Sequence, residues 1–274
     1  MKIREIRTSI THTQIAKKIK INFFMKKTIF FILFILPIIA NAQQSFEGMV
    51  QYLVVQNWTK KLAAVPYISK QQKERVAYMW GSRSEWKAYN NLYFTPTVSK
   101  YEASEESAEP NADDNYSWRK ELFFMKRDFD KNTMTDAIEH LGKNYLIEDE
   151  IQPIEWKIQN DLKEVAGHIC MKAVTEDTLK NQKMVAWFAQ DIPIKAGPDQ
   201  FSGLPGMILE VDINDGAMNI TANKIILKKL TTELDLPKKI KSKKIKNEAY
   251  RNLVKTYILE KRKEEAFPFW GIRY

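Results

Sequence analysis

The sequence predicts a mainly β fold: an antiparallel, strongly curved sheet or incomplete barrel, with a short helical insertion and a C-terminal helix. Three observations lead there. Apolar and polar residues alternate along most of the chain, which is the period of a half-buried strand. Turn-forming sequences such as Leu141-Gly142 and Asn214-Asp215-Gly216 separate successive alternating runs. Only two segments carry the helical period instead.

Taken in order, residues 46–56 alternate as Phe46-Glu47-Gly48-Met49-Val50-Gln51-Tyr52 and open the first strand. Ser69-Lys70-Gln71-Gln72 has capping-box spacing and predicts a helix to Trp80. Residues 84–94 are aromatic-rich and read as extended, although the Trp86 and Tyr89 spacing also permits a helix. Residues 102–114 are dense in acids, include Pro110, and predict a solvated loop. A strand is expected over 119–127, then a hairpin of 134–138 and 143–147 around Leu141-Gly142. Further strands are expected over 155–158, 168–175, 184–189, 207–213 and 217–227, the last two joined by Asn214-Asp215-Gly216. Asn247 is placed to cap a final helix to about Glu265, because Tyr250, Leu253, Val254, Tyr257 and Ile258 recur at i, i+3, i+4, i+7 and i+8.

Charge bears on the address. The 274 residues carry a formal +9, from 43 Lys+Arg and 34 Asp+Glu. Much of that excess sits before residue 43. Met25-Lys26-Lys27, the apolar run 29–39 and Ala40-Asn41-Ala42 have the layout of a secretory signal cleaved after Ala42. The apolar run is shorter than the roughly 20 residues a membrane-spanning helix needs. Residues 1–24 fit no ordinary leader; either translation starts at Met25 and they are a gene-model extension, or the leader is unusually long. The expected mature chain, 43–274, is one β domain with near-balanced charge, which removes the main argument for a nucleic-acid partner. Its remaining charge is uneven, with a lysine-rich run at Lys238-Lys239-Ile240-Lys241-Ser242-Lys243-Lys244 in the C-terminal quarter. That run suits the protein's own acids or peripheral contact with an anionic membrane, without a span. A single cysteine excludes an internal disulfide framework.

The most distinctive stretch is 186–210. Three of the nine glycines and three of the ten prolines fall between Pro193 and Gly206, so backbone preference sets the path of this loop. It contains Gly203-Leu204-Pro205-Gly206-Met207-Ile208, preceded by Phe201-Ser202 and by Ala186-Trp187-Phe188. This pattern resembles the signature of the GLPGLI family, secreted proteins of Bacteroidota. Glu155-Trp156-Lys157-Ile158 and Gly167-His168-Ile169-Cys170-Met171-Lys172-Ala173 are similar to further segments of that family, with His168 where an aromatic is usual and Met207 replacing a leucine. The resemblance implies an exported β-rich protein of a Gram-negative envelope, periplasmic, outer-membrane-associated or extracellular. It carries over no catalytic residue.

The chemistry readable from the residues is sparse. His168 and Cys170 share a strand face and are soft metal ligands, but the only other histidine after residue 42 is His140, so no metal site and no cofactor is expected. Asp191, Glu210 and Asp212 flank the Pro/Gly loop, where converging carboxylates could serve a secreted hydrolase. There is no Gly-rich phosphate loop, Ser elbow or HExxH helix. The leading expectation is therefore a non-catalytic envelope protein that binds an apolar ligand or a partner protein. Its surface would be built from Trp187, Pro193, Phe201, Gly203, Leu204, Pro205 and Gly206, together with the aromatics crowded between Tyr67 and Trp118. A carrier requires an apolar cavity inside the curved sheet; a hydrolase requires the three carboxylates in one cleft.

Overall fold

The computed structural model describes residues 46–81, 84–108, 123–237 and 240–274. The expected leader, Tyr116, Trp118, Lys238, Lys239 and the later part of the acidic loop lie outside these residues.

Among the described residues twelve strands form one sheet. They are β1 Gly48–Asn57, β2 Glu85–Phe94, β3 Val98–Ala103, β4 Phe124–Asp128, β5 Thr133–His140, β6 Lys143–Glu150, β7 Lys157–Val165, β8 His168–Asp177, β9 Gln182–Ala189, β10 Met207–Ile213, β11 Met218–Leu227 and β12 Lys243–Ile245. Helices α1 Trp58–Ala63 and α2 Lys70–Trp80 lie between β1 and β2, and α3 Asn247–Lys263 follows β12. The sheet order is β12-β6-β5-β4-β3-β2-β1-β11-β10-β9-β8-β7. Every pair is antiparallel except β12 with β6. The sheet is open, ending at β12 and β7.

Turn chemistry accounts for the hairpins. Leu141 and Gly142 both take positive φ (51° and 76°), as the two-residue β5–β6 connection requires. Asn214, Asp215 and Gly216 do the same between β10 and β11. The Ser69 capping box is complete, with Ser69 Oγ accepting from Gln72 N and Gln72 Oε1 accepting from Ser69 N. Asn57 caps α1 by accepting from Lys60 N at 3.0 Å.

Several elements differ from expectation: α1 and β12 form where none was expected, and three others shift. Glu102 and Ala103 belong to β3 and not to a loop, because Glu102 pairs with Phe124 across the β3–β4 ladder. Strand β7 runs on to Val165, with a bulge between Gln159 and Leu162 that breaks the alternation. Lys246, not Asn247, is the N-cap of α3; the Asn247 amide instead donates to Asp149 Oδ2 on β6 at 3.0 Å.

Contacts across the sheet show its curvature. In a flat sheet β5 and β11 would lie about 24 Å apart, at roughly 4.8 Å per strand. The C-terminal residues nevertheless bridge turns on both sides. Gly271 O accepts from Leu141 N in the β5–β6 turn, and the Tyr274 hydroxyl accepts from Asn214 Nδ2 in the β10–β11 turn at 2.9 Å. The core is built on Tyr52, Leu92, Phe94, Tyr101, Phe188 and Met207, each at most 1% exposed. Outside, the segment after β11 crosses β3–β5. Leu236 and Ile240 pack on Phe124, Ala137 and Leu146, while the Lys100 and Lys126 ammonium groups donate to the carbonyls of Glu233, Asp235 and Leu234. Residues Glu47–Tyr274 form one compact unit by their contacts. Among the described residues no helix is long and apolar enough to cross a membrane.

Candidate functional site

The Pro/Gly loop between β9 and β10 folds into the protein. Met207 N donates to Ile192 O, Ile208 N to Ala196 O, and Gly203 N to Lys195 O, so the loop is tied to itself and to the start of β10. Ile192, Ile194, Ala196, Phe201 and Leu204 are buried. Trp156, ahead of β7, donates from Nε1 to Ser202 O at 3.0 Å and packs on the Phe201 ring at 6.2 Å. A Cβ on Gly206 would stand 2.2 Å from Ala189 O, so only glycine fits that approach. Gly203 takes φ +94° with open space around it, which makes it a conformational requirement.

Of the residues expected to meet a ligand, Phe201, Leu204 and Gly206 are therefore committed to packing inside the fold. Pro193, Gly203 and Pro205 are exposed, and Trp187 is half-buried on the other face of β9. The Trp187 ring carries the Lys163 ammonium 5.5 Å from its centroid.

Two buried ion pairs hold the loop and the concave wall. Arg273 donates from Nε to Asp199 Oδ2 at 2.8 Å, with its Nη2 2.7 Å from the same oxygen. Its guanidinium also lies 3.8 Å from the centroid of Phe123. Arg127 on β4 grips Asp136 on β5 with both terminal nitrogens, Nη1 on Oδ1 and Nη2 on Oδ2. Burial pushes the Asp136 carboxyl up, against the pull of Arg127. Lys180 donates to Arg273 O at 3.0 Å, and burial lowers its ammonium pKa. Tyr101 and Asp136 both feel the Asp199 charge, so the loop sits within electrostatic reach of β3 and β5.

The three carboxylates named as a hydrolytic set take three different partners. Asp191 Oδ2 lies 2.6 Å from His168 Nδ1. Glu210 receives Lys163 Nζ on both oxygens at 2.6 and 2.8 Å. Asp212 Oδ1 accepts from Gly216 N in the β10–β11 turn at 3.1 Å. Cys170 is buried, and desolvation followed by the charges of Asp191 and Glu210 pushes its thiol up to about 11, opposite to what a nucleophile needs. His140 is on β5, ringed by Tyr145, Tyr250 and Tyr257, with Nδ1 unpaired and its pKa lowered by burial. Among the described residues no group of three His, Cys, Asp or Glu side chains is placed to hold a metal ion.

The aromatic region divides sharply. Phe94 and Tyr101 belong to the core. Trp80, at the end of α2, instead joins Trp58 of α1 and Trp270 of the C-terminal turn in a stacked set. The centroid distances are 6.1 Å for Trp58–Trp80, 4.9 Å for Trp58–Trp270 and 6.0 Å for Trp80–Trp270, with ring planes within 29°. Phe267 closes edge-on against Trp58 and Trp270. Beneath them Lys61 is 1% exposed, with its ammonium over Trp58 at 4.5 Å and Tyr274 at 4.3 Å, donating to Gln56 Oε1. Helix α2 buries none of its own residues. It leaves Tyr78 89% and Met79 62% exposed, and Trp270 of the stacked set is 46% exposed.

Sequence reasoning placed Trp80 and Tyr78 in the aromatic region but missed Trp58, Phe267 and Trp270. The only local signal was their residue type, because about two hundred positions separate Trp58 from Trp270 and tertiary folding alone joins them.

Residues 174–210 match the family model described as "Protein of unknown function (Porph_ging)", a stretch that ends on Glu210 and includes the whole Pro/Gly loop. Comparison with curated proteins gives no match. Among solved structures, PNGF-II in a C2 crystal form is similar at TM-score 0.50 and 10% identity, over 79% of this chain and 33% of that one. A P21 form of PNGF-II gives 0.48 at 12% identity, over 75% and 33%. An uncharacterized conserved protein from Thermus thermophilus gives 0.32 at 8%, over 72% and 90%. The chain spans about a third of the PNGF-II length, and at this identity the likeness to the C2 form shows the fold alone.

Proposed function

We propose that the protein is an exported, non-catalytic binding protein of the cell envelope that engages a partner protein through the aromatic end formed by α1, α2 and residues 267–270. The single observation that supports this reading is helix α2. It buries no residue of its own, leaves Tyr78 and Met79 exposed, and ends on Trp80, which joins a tryptophan stack whose Trp270 is almost half exposed. Exposed tryptophan, tyrosine and methionine are side chains that anchor protein interfaces. An apolar-ligand carrier is the weaker reading, since Tyr52, Phe94, Tyr101, Phe188, Leu204 and Met207 are core side chains, each at most 1% exposed. The hydrolase reading is weaker still, because Asp191, Glu210 and Asp212 are each engaged elsewhere.

The address rests on the leader-like segment 25–42, and membership of the GLPGLI family on the motif 203–208; the Porph_ging match over 174–210 is compatible with both. Native mass spectrometry of the protein isolated from its own envelope tests the function. The expected result is a bound protein that is lost from the Tyr78→Ala/Trp270→Ala variant. A retained lipid with no protein, or equal retention of the protein by the variant, refutes the proposal.

A further inference from the structure

His140 ends β5 and is 5% exposed, with its Nδ1 buried and without a hydrogen-bond partner. Tyrosines wall it in from two elements. The ring of Tyr145 on β6 stands 6.3 Å away, and those of Tyr250 and Tyr257 on α3 stand 6.1 and 5.7 Å away. A neutral imidazole suits such a box. An imidazolium would bring a charge and a second N–H donor into a place that water barely reaches.

The charged groups around the box do not offset that cost. On β6, Lys143 stands opposite His140 in the ladder, a like charge once the imidazole is protonated. On α3, Lys261 lies 5.5 Å from the Tyr257 ring centroid and pairs with Glu264 at 2.6 Å. On β5 itself, Glu139 alternates to the other face of the strand, and Asp136, four residues back, is held by Arg127. Burial pushes the Tyr257 hydroxyl up, so it stays neutral. Residues 267–271 carry no titratable side chain. The box lies under the middle of the C-terminal arm, where α3 buries only Val254, Tyr257 and Ile258. A Cβ on Gly271 would stand 2.6 Å from the Tyr257 hydroxyl and closer still to Leu141 Cδ2, and Gly271 O accepts from Leu141 N at 3.2 Å. His140, Leu141, Tyr257 and Gly271 are thus one packed group, and Trp270 of the tryptophan stack is the next residue. The two ends of the arm are pinned separately, by Asp149 accepting from Asn247 N and by Arg273 on Asp199. The first pin resists mild acid, because the Asn247 and Glu150 amides hold the Asp149 carboxyl below its ordinary 3.8.

We infer that His140 is a proton-sensitive latch on this arm. Protonation drives Tyr257 and Gly271 off the box, loosens α3 and residues 264–271 between their pins, and draws Trp270 from the stack. The partner is therefore held near neutral pH and released in mild acid. The sign follows from burial, which lowers the pKa of His140 from 6.5 in the closed arm. The loosened arm returns the imidazole to water and to its ordinary value, so opening is favoured as pH falls below 6.5. Release of the partner rests on the proposed function, whereas the loosening does not.

Native-state hydrogen exchange, corrected for its intrinsic pH dependence, tests the latch at the Leu141 amide, which donates to Gly271 O, and at the amides of 254–258. Between about pH 7.5 and about pH 5.5 their protection should fall about tenfold, while the β1–β11 amides hold theirs. His140→Phe should remove this dependence. His168→Gln, which alters the only other histidine among the described residues, should leave it intact. In the parent protein, an NMR titration of the His140 ring should show its proton arriving as the protection is lost, a measurement that does not depend on the variant folding. Native mass spectrometry of the envelope complex should find the partner bound at the higher pH and absent at the lower.

Protection that is flat over this range, a His140→Phe variant as pH-sensitive as the parent, an imidazole that charges while the arm stays closed, or a partner held equally at both pH values overturns the inference. If Tyr78→Ala/Trp270→Ala loses the partner while protection in the parent is flat, only this inference fails. If that variant keeps the partner, the proposed function fails, and the exchange measurement still decides whether the latch exists.

Discussion

Replacing Asp136 by leucine should be among the most damaging single changes in the sheet. The Asp136 side chain is 4% exposed and the Arg127 side chain 7%. Removing the carboxylate strands a guanidinium between β4 and β5, where water cannot reach it and Lys126 O is its remaining acceptor. Breaking a buried pair from one side costs about 3–5 kcal/mol, most of it the penalty of the orphaned charge. With a urea slope of about 2–3 kcal/mol/M, the unfolding midpoint should fall by roughly 1–2 M. The informative control is Arg127→Met/Asp136→Leu, which removes both charges and keeps similar volume. It should return to within about 1 kcal/mol of the parent, since apolar replacement of a whole buried pair is close to neutral. Equilibrium urea unfolding followed by tryptophan fluorescence and by circular dichroism measures all three variants. A double variant as unstable as Asp136→Leu would refute the reasoning, because the cost would then lie in packing and not in the stranded charge.

Two further outcomes follow from the geometry. Gly206→Ala should destabilise the protein by about 1–3 kcal/mol, since a Cβ 2.2 Å from Ala189 O forces a backbone shift at the root of the Pro/Gly loop; a thermal midpoint equal to the parent's would contradict this. His140 has its pKa lowered by burial from the ordinary 6.5, so the unfolded chain binds a proton before the folded one does. The stability it contributes is present above pH 6.5 and is lost as pH falls below that value, and His140→Phe should flatten this part of the pH–stability curve. An unchanged slope in the variant would assign the acid sensitivity to other groups.

Legibility in the sequence followed locality. The β5–β6 and β10–β11 hairpins were readable because Leu141-Gly142 and Asn214-Asp215-Gly216 supply the left-handed backbone that their turns need. The α2 capping box was readable from four consecutive residues. Strand β3 was hidden by its acids: Glu102 looked solvated, whereas it lies beside Lys100, which the crossing segment covers. Bulged β7 was cut short because two extra residues disrupt its period. The Pro/Gly loop was recognised as a rigid, distinctive path, but its composition did not reveal that Phe201 and Leu204 point inward, because side-chain direction there depends on what surrounds the loop.

The sequence by itself determined the class of fold, the main hairpins, the two longer helices and the special character of residues 193–206. Each of these is governed by side-chain period or by φ preference within a few residues. Tertiary structure alone decided that the sheet curls until Gly271 reaches the β5–β6 turn and Tyr274 the β10–β11 turn, that Arg273 meets Asp199, and that Trp58, Trp80 and Trp270 stack together. These contacts join residues far apart in the chain, and their energy comes from burial and charge pairing, which no local pattern encodes.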